Sequence, residues 1–170
     1  MDMSWLGQLG FALPLGLGAV GSALGIGAAG RAAAGAWAKE AKENQPLNFQ
    51  YIVLLGMPLS QTIYGFVLML ALLMGKVYDA EYMSMFAGSI FSIGLACGLG
   101  ELFSAWMQGV IGAAGVRSMS EGDGKPFTFV IIAMGIAETV GLFAAFFMFL
   151  MLPSEQQLET AKAALAATGN

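Results

Sequence analysis

Four long apolar runs restrict the fold before any single residue is considered. Trp5 to Gly35, Phe49 to Gly75, Met83 to Val116 and Phe127 to Leu152 each exceed the ~20 residues that a helix needs to cross a bilayer. In lipid only helices and closed barrels satisfy their own backbone, and continuous apolar runs lack the alternation of a barrel strand. The chain is therefore expected to be an all-α membrane protein with four transmembrane helices. Hydrophobic residues make up 58% of the 170 and charged residues 11%, a balance no ordinary soluble domain shows. The opening MDMSWLGQLGFALPLGLG has an acidic start, and its apolar run continues past ~15 residues. It reads as a retained first helix, not as a signal peptide.

Several function classes fall away. With no His and one Cys, zinc sites, Cys–His catalysis and internal disulfides are excluded. Cys97 reads as a small buried thiol inside the third helix. The nearest approach to a phosphate loop, EGDGKP at Glu121–Pro126, lacks the upstream Gly and the Ser or Thr after Lys. No basic patch suggests a nucleic-acid partner. Without a nucleotide site, a metal triad or an activated nucleophile, the chain is not expected to be an enzyme in its own right.

The last apolar run, FTFVIIAMGIAETVGLFAAFFMFLML, contains a carboxylate, Glu138, and no Lys or Arg to neutralise it. A charge at membrane depth costs roughly 3 kcal/mol or more. Glu138 must be protonated or hold a cation. In the second helix Pro58 removes a backbone donor, strands the Leu54 carbonyl and should kink the chain. Ser60 and Gln61 follow directly, with Tyr64 one turn beyond. Polar groups gathered at a kink are an expected way to build a binding site inside a membrane. The third helix adds Gln108, with Glu101 two turns earlier on roughly the same face.

The first and third helices are crowded with Gly and Ala at four-residue spacing, which lets backbones approach closely. In the first helix these residues encircle the axis, suggesting close packing on several sides. GIGAAG at Gly25–Gly30 matches VIGAAG at Val110–Gly115, and GMPLSQ at Gly56–Gln61 matches AMGIAE at Ala133–Glu138. The chain reads as two duplicated helical hairpins in parallel orientation, residues 1–76 and 77–152, with a tail, 153–170, that has the residues of a short amphipathic helix. The duplication is asymmetric: Gln61 stands where the second half has Glu138, and Ala23 where it has Gln108.

Arg31–Gln45 and the segment from Arg117 to Lys125 read as polar loops. They hold Arg31, Lys39, Lys42, Arg117 and Lys125, while Lys76 and Lys162 fall on the other side. The excess of basic residues places both loops in the cytoplasm and both termini outside.

Taken together, the paired Gly-rich hairpins and the lone acid in an A-E-T setting resemble the rotor-ring proteolipid (the K or c subunit) of V-type ATPases. Similarity is greatest to the sodium-transporting bacterial branch, and it covers essentially the whole chain. The resemblance implies a homo-oligomeric ring in the lipid of a bacterial cell membrane, facing a static ion-channel subunit and joined to central-stalk subunits. It implies Na+ held by the Glu138 carboxylate, the Gln61 and Gln108 amides, the Ser60 hydroxyl and the Met57 carbonyl, with Tyr64 hydrogen-bonded to Glu138 and Pro58 supporting. Ser60 stands where the family more often has Thr. Glu101 has no counterpart among the family's functional acids. Five oxygens and one negative charge suit a hard monovalent cation. A proton needs fewer partners, so a proton-carrying ring is the alternative, and a structural or pore-forming four-helix protein a more distant one.

Overall fold

The structure, a computed structural model, describes residues 3–74 and 76–168. Gly75, where the second apolar run was expected to end, lies outside the described residues, as do residues 1, 2, 169 and 170. The elements are α1 (Ser4–Lys42), α2 (Gln50–Gly56), one 3-10 turn (Met57–Leu59), α3 (Ser60–Leu73), α4 (Ala80–Glu121), α5 (Phe127–Leu150) and α6 (Glu155–Thr168). The second of these, the turn and α3 follow without a break and make one span. Four rods are thus long and apolar enough to cross a membrane: Ser4–Lys42, Gln50–Leu72, Ala80–Glu121 and Phe127–Leu150. No strand occurs among the described residues.

The central pair, α1 and α4, lies side by side and runs in the same direction. Gly7 faces Met83 and Ala87, Gly10 faces Phe91 and Gly94, Gly21 faces Leu102, and Gly25 faces Ala105 and Gly109. Because lipid tails are as apolar as leucine, such contact rests on close van der Waals packing, which requires small residues. A Cβ added to Gly94 would collide with the Gly10 carbonyl, and one on Gly109 with the backbone of Gly25. The outer rods pack on this pair, α3 against α1 and α5 against α4, and α3 also touches α5. Leu54 clusters with Met134 at one level and Tyr64 meets Glu138 at another, so these outer rods also run in parallel. Two hairpins repeat side by side, as the duplicated sequence requires.

One expectation holds and one is corrected. Small residues encircle α1, and it packs on more than one side: Gly21 meets Leu102 of α4, Gly18 meets the Gln61 backbone of the second span, and Gly25 touches both Ala105 and Pro58. Gly16, Gly30 and Gly35 have no neighbour within 4 Å inside the protomer. The polar segments read as loops are instead largely helical: α1 continues to Lys42 and α4 to Glu121. RAAAGAWAKEAK is rich in strong helix formers, its basic residues complement the helix C-terminus, and Ala33, Ala36 and Glu40 are buried. The central helices are roughly 58 and 63 Å long at 1.5 Å per residue, against ~30 Å of hydrocarbon.

Side chains tie the short connections. The Glu40 carboxylate accepts from the Tyr51 hydroxyl at 2.7 Å and the Asn48 N–H at 2.9 Å, while the Trp37 indole donates to the Asn48 carbonyl at 2.9 Å. Asn44 and Gly124 take positive φ, 54° and 77°, where the chain turns after each long helix. At the opposite end Asp79 caps α4, and the Pro153 carbonyl accepts from Lys76 and Tyr82. The tail forms the short helix its composition suggests. Leu158 is buried beside Tyr82 and Met83, and Lys162 pairs with Glu81 at 2.9 Å and Glu159 at 2.8 Å. Hydrogen bonds to Glu159 and Glu81 hold the Lys162 ammonium above the ordinary lysine range.

Gly94→Ala and Gly109→Ala should each force the central helices apart at a cost of about 1–3 kcal/mol. Thermal unfolding of the detergent-solubilised protein, followed by circular dichroism, should show a lower midpoint for both. An unchanged midpoint would mean that the close backbone contact is dispensable.

Candidate functional site

Proline at position 58 opens the site. Lacking an N–H, it cannot continue the α-helical ladder, and the chain tightens into a 3-10 turn over Met57–Leu59. The bend is braced from α1: Ser22 Oγ donates to the Pro58 carbonyl at 2.5 Å, and Thr62 Oγ1 donates to Ser22 Oγ at 2.7 Å. Gly25 provides the space, since a Cβ there would lie 2.9 Å from Pro58 Cβ.

Immediately after the bend a chain of polar groups crosses three helices. Ser60 Oγ lies 3.0 Å from the Met57 carbonyl and 3.1 Å from Gln61 Oε1, either of which can accept its proton. The Gln61 amide donates to Ser104 Oγ at 3.1 Å and to Gln108 Oε1 at 3.2 Å. Gln108 Nε2 donates to the Met134 carbonyl at 3.2 Å and reaches Glu138 Oε2 at 3.4 Å. The other carboxylate oxygen, Glu138 Oε1, accepts from the Tyr64 hydroxyl at 2.9 Å. Both Gln61 and Gln108 are fully buried, whereas Glu138 is half-buried at the edge where α3 meets α5.

No ion pair among the described residues involves Glu138. Its partners are dipoles, a phenol and an amide, so the site carries one uncompensated negative charge when the carboxyl is ionised. Such a charge becomes stable at membrane depth by taking up a proton or a monovalent cation.

Every site residue singled out from the sequence, Met57, Pro58, Ser60, Gln61, Tyr64, Gln108 and Glu138, falls in this one cluster. Thr139, beside the acid, turns away and bonds the Ile136 carbonyl of its own helix at 2.7 Å. Ser104 was missed. It accepts from Gln61 and donates to the Ala137 carbonyl at 2.7 Å, joining α3, α4 and α5 at one atom. Its spacing, four residues before Gln108 and three after Glu101, places it on the same face and was the available signal. Glu101 itself stands apart from the network.

Gln61→Leu removes the donor to Ser104 Oγ and to Gln108 Oε1; Ser104 keeps the Ala137 carbonyl, but the buried Gln108 Oε1 is left unsatisfied, at a cost of about 1–3 kcal/mol. Thr139→Val touches only an exposed bond within one helix and should be near neutral. Heat denaturation of the two variants side by side checks the contrast.

Comparison with known proteins agrees with this architecture. A search of curated proteins returns no match. The family model for the C subunit of ATP synthase, however, matches the chain twice, over residues 9–72 and 91–151, once in each hairpin. Members of this family assemble into homo-oligomeric rings in lipid, against a stator. With both hairpins matched and a half-buried acid held by amide and phenol donors in the second, the chain belongs to the ATP synthase C-subunit family, the ion-carrying rotor-ring proteins of rotary ATPases.

Proposed function

We propose that the chain is the rotor-ring proteolipid of a V-type ATPase and that its cargo is Na+, one ion at Glu138. The observation that carries this reading is the series of oxygen-bearing polar groups that leads to the acid. Met57, Ser60, Gln61 and Gln108 form a continuous hydrogen-bonded series ending at Glu138. Together they offer a carbonyl, a hydroxyl, two amide oxygens and a carboxylate, more than a protonated carboxyl requires and well matched to a hard cation. Two hairpins fused in one chain, with the acid in the second alone, favour the V-type branch. We divide the chain accordingly into hairpins at 1–76 and 77–152 and a tail at 153–170.

Loading neutralises the site. With Na+ bound, Glu138 carries no net charge and can pass through lipid; emptied, it cannot. Ring rotation then follows from ions entering at one interface with the stator and being displaced at another by a basic group of the stator. The basic C-terminal ends of α1 and α4 and the turns that follow them are assigned to the cytoplasm of a bacterial cell, and both termini to the opposite side. ATP is hydrolysed elsewhere in the complex, coupled through the central stalk.

Carbodiimide labelling of the purified ring tests the reading, because the reagent attacks a protonated carboxyl. Sodium should protect Glu138 at fixed pH, and Glu138→Gln should not label there. Tyr64→Phe removes a hydrogen bond to a charged group worth about 1.5–3 kcal/mol. It should raise the sodium needed for half-protection by roughly tenfold to a hundredfold. Labelling that follows pH and ignores sodium would establish a proton-carrying ring instead. An unreactive Glu138 under all conditions would count against the rotor role of this residue.

A further inference from the structure

Glu101 is an acid in the spanning part of α4 that the ion site does not use. It is 0% exposed, and neither carboxyl oxygen has a hydrogen-bond partner. Room has been made for it on two sides. A Cβ on Gly141 of α5 would lie 2.7 Å from Glu101 Oε2 and 2.9 Å from Ser104 Oγ, and one on Gly18 of α1 would lie 3.5 Å from Glu101 Cβ. The carboxyl therefore rests in the seam between α4 and α5, near Ser104. Gly141 follows Glu138 by three residues, so the two acids are about one helical turn apart along α5.

The ionisable groups facing Glu101 are Glu138 from α5, Tyr64 from α3 and Cys97 from its own helix. From α1 there is none, since Ser4–Gly30 contains no charged residue. None of these groups is basic. A carboxylate in this position would have neither a donor nor a counter-charge, an arrangement that burial penalises heavily. A neutral acid in the same space avoids that cost.

We propose that Glu101 is a second proton site of the protomer, and that its occupancy is linked to the loading of Glu138. The linkage rests on Glu138 being the loaded carboxylate. When Glu138 is empty and ionised, loss of the Glu101 proton would place two negative charges in one buried region, so the proton is held most firmly then. When Glu138 holds a cation, the same loss leaves a single net charge beside a bound positive ion, and the proton is held less firmly. Reciprocity requires that a proton on Glu101 weaken cation binding at Glu138 by the same factor. The resident proton thus keeps the emptied site at one negative charge instead of two and favours release of the ion.

Infrared spectroscopy of the purified ring reads Glu101 directly. In Glu138→Gln the carbonyl stretch of a protonated buried carboxyl should persist, and it should vanish in the Glu101→Gln/Glu138→Gln double variant. Sodium affinity is then measured against pH in a choline chloride background of constant ionic strength. Wild-type rings should bind sodium more tightly as pH rises through the Glu101 titration, and Glu101→Gln, or Glu101→Ala should the first not assemble, should lose that component. Absence of the protonated band in Glu138→Gln would overturn the proton site. Identical pH profiles with and without Glu101 would overturn the linkage and leave a structural acid. If sodium fails to protect Glu138 from carbodiimide, the sodium reading falls while the infrared band is unaffected. The linkage is then read from the pH titration of the two carboxyls, which should be displaced from one another in wild type and lose that displacement when either acid is replaced.

Discussion

An acid at the depth of a bilayer with no basic neighbour has two comfortable states, protonated and cation-bound, and one costly one. The arrangement around Glu138 serves that fact. Tyr64 and Gln108 hold its two oxygens, Gln61 holds Gln108 in turn and is itself held by Ser104, so the carboxyl has a defined place from which to exchange its charge. Each group in the series is oriented by the next, and the series spans α3, α4 and α5.

Such a series survives only while the helices keep their spacing, and the spacing is set by glycine. Gly25 is the clearest instance. It lies against Ala105 and Gly109 of α4 and also beneath Pro58 at the bend. The contact that joins the two hairpins is therefore the contact that positions the start of the polar series. Gly65, pressed on the Pro14 carbonyl, does the same for α3 just beyond Tyr64. Packing and site are not separate layers here; a side chain added at either glycine would displace both.

Much of this was legible in the sequence, for physical reasons that differ between residues. The four spans follow from length and apolarity alone. Glu138 stands out because nothing nearby offsets its charge, and Gln61 because the duplication places it opposite Glu138. Ser104 was only partly legible: its spacing puts it on the face of Gln108 and Glu101, but its meeting with Gln61 and the Ala137 carbonyl across two helix interfaces is not revealed by periodicity within one helix. The lengths of α1 and α4 were misjudged because charge at Arg31, Lys39 and Arg117 marks the end of a membrane span but not the end of a helix. Alanine-rich, Lys- and Glu-bearing sequence continues a helix readily once water surrounds it.

The inequality between the two halves sets a gearing. Both hairpins take up space around the ring, yet Gln61 stands where Glu138 would repeat. A circumference of given size therefore carries half as many loaded acids at this level as one built from hairpins that each bear a carboxylate. On the reading proposed for Glu138, fewer ions cross per revolution, and each turn of a rotor of this construction is geared to a smaller number of ions.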